Sequence, residues 1–268
     1  MDNDSVGCVV VARNEEHIID YCLKSLVNQQ LKPYIVFVDD GSSDKTVEIA
    51  SKYSDYIVNL PKHEESWAGK PQLAEVFNSG FKILEELFVN YVMISGADAL
   101  YPSYYIKELI KRMKKEKITI ASGIAEGEKS AILAVRGCGR IIDALWFKSI
   151  GFQYPKNYGF ESYIIFYALM KGRKVKVYTD LKFKLLRATK FSPQKAYLWG
   201  KAMRALSYWP PYAIGRCMLS GLSRGINMLS GYLSSDVKKY QDIKDFVPKF
   251  QRIYTIKRFQ NLKLFKNK

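Results

Sequence analysis

Four short apolar runs alternate with stretches of helical periodicity, and that alternation restricts the folds open to this chain more than any other feature. The runs are VGCVVVA (6–12), YIVFVDD (34–40), YIVNL (56–60) and NYVMIS (90–95). Continuous β-branched runs of this length fit strands covered on both faces of a parallel sheet. Helices are expected over 15–28, from a cap at Asp44 to about Tyr53, over 71–87, and from about Ser103 to Lys115. This order predicts βαβ units, an α/β fold with a mostly parallel sheet flanked by helices. Farther on, ITIASG (118–123) and SAILAV (130–135) read as strands and 139–149 as a helix. A helix from about Glu161 to Met170, a turn at Gly172 and a strand follow. The alternation stops after KFKLL (182–186).

In parallel sheets ligands bind beyond the carboxyl ends of strands. Asn14, Asp39 and Asp98 fall at such ends. The loop Asp39-Asp40-Gly41-Ser42-Ser43-Asp44 sets carboxylates and small residues just after a strand. Such carboxylates accept bonds from a base N–H or a ribose hydroxyl, and they repel phosphate unless a cation intervenes, so a divalent metal is the natural companion. A turn with a helix cap accounts for Asp44 but not for Asp39 and Asp40. No Gly-x-Gly-x-x-Gly and no Walker lysine loop is present, which disfavours dehydrogenases and P-loop enzymes. Asp98, in MISGADALYP (93–102), taken alone is an ordinary turn residue before a proline. Paired with Asp39 it can share one crevice. Glu161 opens a helix, where a carboxylate either complements the dipole or serves as a general base.

Charge is uneven. Residues 1–180 carry 23 Lys plus Arg against 23 Asp plus Glu, so the formal +16 comes entirely from 181–268, whose only acids are Asp236, Asp242 and Asp245. A neutral body with a basic, aromatic end suggests an anionic surface as its partner. Ile214, Met218, Leu222, Ile226, Leu229 and Leu233 recur at helical spacing, as one amphipathic helix beyond Pro210-Pro211. That stripe suits core packing or, with Trp199, Tyr208, Trp209 and Tyr212 nearby, an in-plane membrane helix. Cys8, Cys22, Cys138 and Cys217 are scattered, as for buried thiols in a reducing compartment. The start, Met-Asp-Asn-Asp-Ser, lacks the pattern of a secretory signal, and no apolar run is long enough for a transmembrane helix.

Six segments in order resemble inverting nucleotide-sugar glycosyltransferases of family 2, with the GT-A fold, from about Val6 to Val177. They are RNEEHIIDYCLKSLVNQ, VDDGSSDKT, GKPQLAEVFNSG (69–80), GADALYP, RGCGRIID (136–143) and GFESYIIFYALMKGRKV. The resemblance implies a GT-A domain over 1–190 and a helical, basic extension over 191–268. It implies donor binding by Asn14, Glu15, Asp39, Asp40, Ser42, Gly69, Lys70 and Asp98, with Asp98 also ligating Mn²⁺ or Mg²⁺. Arg136, Gly137 and Arg140 would meet the acceptor, and Glu161 would be the catalytic base. For Arg136, Arg140 and Lys70, surface ion pairing is an equal reading. Three positions depart from the family pattern: Val11 stands where a proline is usual, Gly96 replaces the first Asp of Asp-x-Asp, and Phe160 replaces the acid beside the base.

The expected reaction is transfer of a sugar from a UDP- or GDP-linked donor to a hydroxyl or a lipid phosphate. The expected setting is the cytoplasm, with a peripheral contact at the cytoplasmic membrane face through 199–268. Rival readings are a catalytically silent sugar-nucleotide binder, a nucleotidyltransferase, whose usual Gly-rich first loop is absent, and a nucleic-acid binder working through the basic end. The last leaves the acidic strand ends unexplained, so nucleic acid is the less favoured partner.

Overall fold

The structure, a computed structural model, describes residues 4–128, 137–187 and 191–266, with side chains as far as 256. The expected strand at 130–135 and the candidate Arg136 lie outside the described residues. The chain forms two compact units, one of residues 1–66, 74–154 and 172–188 and one of residues 67–73, 155–171 and 189–268.

The first unit runs β1 (Val6–Ala12), α1 (Ile19–Val27), β2 (Tyr34–Asp39), α2 (Thr46–Ala50), β3 (Tyr56–Asn59), α3 (Gln72–Glu86, entering from the second unit), β4 (Tyr91–Gly96), β5 (Ala99–Leu100), α4 (Tyr105–Glu116), β6 (Ile120–Ala125), β7 (Arg140–Asp143), α5 (Ala144–Ser149) and, after an excursion through the second unit, β8 (Val175–Leu185). The strands form one sheet in the order β3-β2-β1-β4-β7-β6-β8-β5. β1 lies parallel to β2, with Ala12 beside Asp39, and parallel to β4, with Val11 beside Gly96. β7 runs antiparallel between β4 and β6. The chain leaves β1 toward β2 and β3 on one side and returns to β4 on the other, so a topological switch point opens beyond β1.

Alternation of side chains along each strand builds two core layers. Cys8, Val10, Phe37 and Met93 pack with Leu23 and Leu26 of α1 and Ile106, Leu109 and Ile110 of α4. Elsewhere the rings of Phe81, Phe147 and Tyr154 meet edge to face at centroid distances of 5.2–6.3 Å, a geometry that adds to simple burial. The cysteines form no disulfide. Burial pushes the Cys22 thiol up to about 12 and Cys8 well above its ordinary value, so neither is a nucleophile at neutral pH.

The expected α/β architecture with a helical extension is the one adopted, and its differences from expectation are local. The segment 139–149 is not one helix: Arg140–Asp143 is strand β7, and the Asp143 carboxylate then caps α5 by accepting from Trp146 N at 2.8 Å. Helix α1 begins at Ile19 rather than 15, because Asn14 takes a left-handed φ of 54° and holds the preceding residues in a loop. KVKVY and KFKLL belong to the single strand β8, and β5 was not foreseen.

The second unit contains α6 (Phe160–Met170), α7 (Pro193–Ala205), α8 (Pro210–Leu219), α9 (Leu222–Leu233) and α10 (Phe246–Lys266). The expected single amphipathic helix is two, α8 and α9, parted at Ser220-Gly221, where Gly221 has φ 82°. The basic end is not a free tail. Val237, Tyr240, Ile243 and Val247 pack with Leu206, Tyr163 and Phe166, and Tyr240 stacks on Tyr163 at 4.3 Å. Asp236 pairs with Lys201 at 2.7 Å, and the Tyr163 hydroxyl donates to Asp242. Among the described residues no helix is long and apolar enough to cross a membrane.

Candidate active site

Two loops close over the carboxyl ends of β1 and β2, and their backbones are tied by side chains of each other. Ser42 Oγ accepts from Asn14 N at 3.0 Å, and Asn14 Oδ1 accepts from Ser43 N at 2.8 Å. Thr46 Oγ1 accepts from Glu15 N at 2.7 Å, and Asp44 Oδ2 accepts from Glu16 N at 3.2 Å. Glu16 Oε2 in turn accepts from Lys45 N at 3.0 Å. Each bond satisfies a backbone N–H that a loop would otherwise leave to water. Gly41 permits the turn: its φ is 76°, and a Cβ there would lie 2.8 Å from Lys62 Cα and from Pro61 O.

Asp44 latches the loop. Its Oδ1 accepts from Thr46 N at 3.0 Å and from Thr46 Oγ1 at 2.5 Å. Burial alone would raise its pKa, but the bonds from Thr46 and Glu16 outweigh that and hold the carboxyl below the usual range. Its contribution to stability is therefore complete above about pH 4, where an unfolded aspartate is ionised, and fades as pH falls toward the lowered folded value. Asp44→Ala should cost about 1 kcal/mol at pH 7, as for loss of a cap, or about 2–4 °C in Tm. Thermal melts from pH 7 to pH 3 should show the gap from wild type closing in acid.

Adjacent carboxylates take different partners, because successive residues of a strand face opposite ways. Asp40 Oδ1 lies 3.0 Å from His63 Nε2, and Arg13 Nη1 lies 2.9 Å from His63 Nδ1 and donates to Glu65 O at 2.9 Å. Arg13 Nη2 also donates to the His63 carbonyl. Burial raises the Asp40 pKa, with His63 and Arg13 pulling the other way. Asp39 is 4% exposed. Its Oδ2 accepts from Ser42 N at 2.9 Å, while its Oδ1 is buried without a hydrogen-bond partner. A buried acceptor left unmatched costs about 1–3 kcal/mol.

Asp98 follows β4, and its carbonyl accepts from Leu186 N at 2.8 Å. Gly96 stands two residues before it: a Cβ there would lie 3.2 Å from Asp98 Oδ1, so the carboxylate would have to give by a few tenths of an ångström, and in ordinary contact at 3.8 Å from Cys138 Sγ. Arg187, just past β8, bridges the two acidic loops. It donates through Nη2 to Glu15 Oε1 at 2.6 Å, and its Nε lies 3.8 Å from Asp98 Oδ2. With the Arg187 side chain 55% exposed, this pairing is worth at most about 1 kcal/mol, so it can be exchanged for a better anion.

Of the expected site residues, Asn14, Glu15, Asp39, Ser42 and Asp98 thus meet around the switch point of the first unit. Arg140 does not lie open: on β7 it is 1% exposed, and its Nη1 donates to the Tyr154 hydroxyl at 3.1 Å. Gly137 sits in the turn before it and accepts from Arg140 N at 3.3 Å. Gly69, Lys70 and Glu161 belong to the second unit. Gly69 has φ 78° in a turn closed by Lys70 N donating to Trp67 O at 2.9 Å. Glu161 is half-buried in the first turn of α6, behind Gly159 at φ 72°. Sequence reasoning missed Arg13, although it heads the RNEE segment, and His63 and Arg187, which stand in no recognisable local pattern. Among the described residues no group of three or more His, Cys, Asp or Glu is placed to hold a metal ion. One partly exposed carboxylate, that of Asp98, still fits an Mg²⁺-type ion that takes its other ligands from phosphates and water.

The profile of glycosyl transferase family 2 matches residues 8–181, and the chain belongs to that family. Glycosyltransferase GlyA of Streptococcus pneumoniae serotype 4 is 30% identical over 122 residues, 45% of this chain and 17% of that protein. The 4,4'-diaponeurosporenoate glycosyltransferase of Staphylococcus aureus is 31% identical over 70 residues, 26% of this chain and 19% of that protein. The chain thus matches less than a fifth of the length of either. Among solved structures, the mannosyltransferase PcManGT of Pyrobaculum calidifontis, in complex with GDP-Man and Mn²⁺, superposes with a TM-score of 0.60 at 15% identity, over 85% of this chain and 70% of that one. S. aureus TarS 1–349 with UDP gives 0.56 at 16%, over 75% and 64%. Glucosyl-3-phosphoglycerate synthase of Mycobacterium tuberculosis, with Mn²⁺, UDP and phosphoglyceric acid, gives 0.54 at 16%, over 75% of each. At these identities the likeness defines the fold, which is GT-A-like.

Proposed function

We propose that the chain transfers a sugar from a nucleoside diphosphate donor to a hydroxyl or lipid-phosphate acceptor, with inversion at the anomeric carbon. The observation that carries the reading is the buried, unmatched Oδ1 of Asp39 at the end of β2. A carboxylate oxygen held there suits a ring N–H beside a carbonyl, as in uracil or guanine, and not a phosphate. Asn14 and Ser42, tied to each other's loops, shape the cradle, and Glu15 faces the ribose side. A diphosphate arriving near Asp98 would offer Arg187, the exposed member of its pair with Glu15, a second anion to turn to.

Asp98 would hold Mn²⁺ or Mg²⁺ together with the diphosphate, and the ion would neutralise the charge that develops on the leaving group. Glu161 takes the proton of an acceptor hydroxyl as that oxygen bonds to C1. The C1–oxygen bond to the diphosphate breaks, and the nucleoside diphosphate departs with the electron pair. For a lipid phosphate, already ionised, no proton has to be taken. Arg140 supports the Tyr154 side of the sheet rather than touching the acceptor.

Gly96 favours one other reading, a sugar-nucleotide binder without turnover. Thermal melts with UDP, GDP, CDP and dTDP, each with and without Mn²⁺, separate the cases. We expect an upward shift with UDP or GDP that grows with Mn²⁺, and loss of the Mn²⁺-dependent part in Asp98→Ala. Released nucleoside diphosphate in the presence of the donor sugar would establish transfer or hydrolysis, and a shift without release would leave the binder. No shift with any nucleotide would sink both.

A further inference from the structure

We propose that the α8–α9 elbow is a foot that seats on an anionic lipid surface. In a globular protein an amphipathic helix turns its large apolar residues inward; of the large apolar residues of these two helices only Met228 is buried, with Leu229 and Tyr232 partly so, and most of the others are exposed. α9 buries Gly225, Met228 and Gly231, and α8 buries Ala213 and Cys217. The large apolar side chains point out: Met218 is 78% exposed, Leu219 90% and Leu222 84%, with Ile214, Ile226 and Leu233 also exposed. Met218 and Leu219 end α8 and Leu222 starts α9, so the most exposed three crowd the bend at Gly221. Ile214 precedes Met218, and Ile226 follows Leu222, by one helical turn each, which extends the apolar face along both arms.

Charge identifies the occupant. From Leu181 to Ser235 the sequence contains no Asp or Glu. Arg216 lies over the Trp199 ring at 5.6 Å and Arg224 over Phe191 at 5.9 Å, which places guanidinium groups beside the apolar tip, with Trp199 half exposed. A second copy of this chain would bring the same positive charge against itself. A nucleic acid would meet an apolar tip with nothing to stack on at the bend. A bilayer with anionic headgroups offers acyl chains to the tip and phosphates to the arginines, the arrangement of an in-plane interfacial element. The inference does not depend on the transfer reaction.

The test is co-sedimentation of the full chain with phosphatidylcholine vesicles, with and without about one-third phosphatidylglycerol, and sizing of the protein alone. We expect at least tenfold stronger partitioning to the anionic vesicles. The triple variant Met218→Ser, Leu219→Ser, Leu222→Ser should lose at least tenfold of it while keeping the wild-type Tm and nucleotide-induced shift. Arg216→Gln with Arg224→Gln should remove the preference for anionic lipid and leave weak, salt-insensitive binding. Absence of vesicle binding overturns the proposal. So does equal binding by the triple variant, which would assign the attraction to lysines elsewhere. A dimer of the free protein that the triple variant dissolves would overturn it too, since the tip would then be covered by a second copy.

Discussion

Glu161→Gln should lower turnover by about 10²–10⁴-fold with a hydroxyl acceptor, the range for loss of a positioned general base, and leave the nucleotide-induced melting shift intact. Glutamine keeps the size and hydrogen-bonding capacity of the side chain and removes only its ability to hold a proton. A fall in kcat with unchanged donor affinity is the mark of a group that acts in the transition state. The residue stands in the first turn of α6, a position where an acidic side chain often serves the helix alone. A structural role there predicts something else: a lower Tm and little change in kcat. With a lipid-phosphate acceptor the same variant should retain most of its rate, because that nucleophile is already an anion. Measuring one variant against both acceptor types therefore reports on Glu161 and on the acceptor together. Equal, undiminished rates with a hydroxyl acceptor would remove Glu161 from the chemistry.

How much of this was legible depends on the range of the interaction that fixes each feature. β1, β2 and β4 were readable because burial on both faces demands continuous apolar runs, and a run is a local property. The tie between Asn14 and Ser42 spans 28 residues, yet both sit at ends of adjacent parallel strands, so their meeting followed from the topology. Arg187 meets Glu15 across 172 residues, and nothing in KLLRA announces it. Asp39 and Asp40 look equivalent in sequence, and the pleat gives one an unmatched oxygen and the other a histidine. The elbow was missed because Ile214, Met218, Leu222 and Ile226 keep step at four-residue spacing through the bend, so periodicity could not register it. Gly221 was the available signal. The packing of the aromatic, basic end was not legible for a similar reason: composition sees Tyr240 and Phe246 beside lysines, while the fold packs these rings in one cluster with Tyr163 and Phe166.

The same helices carry the largest stability effect. Backbones of α7 and α9 touch: a Cβ on Gly200 would sit 2.0 Å from Met228 O, and one on Gly231 2.0 Å from Tyr197 O. A methyl group at either position should gain up to about 1 kcal/mol in helix propensity. Against that, the obstacle is a carbonyl of a rigid helix rather than the end of a side chain, so the helices must part and lose contacts along their length. Overpacking of this kind costs about 1–3 kcal/mol or more, and the clash wins. Gly231→Ala is expected to destabilise the protein by about 2 kcal/mol net of propensity. Gly200→Ala should do the same, and the double variant should lose less than the sum, since one opening relieves both clashes. Gly215→Ala in α8 is the control: a Cβ there meets nothing within 4 Å, so propensity alone acts and stability should rise. Denaturant midpoints for the four variants decide the matter. If Gly231→Ala and Gly215→Ala move the midpoint in the same direction, the close approach of α7 and α9 is wrong. With it would go the reason that α9 turns Gly225 and Gly231 inward and Leu222 and Leu233 out.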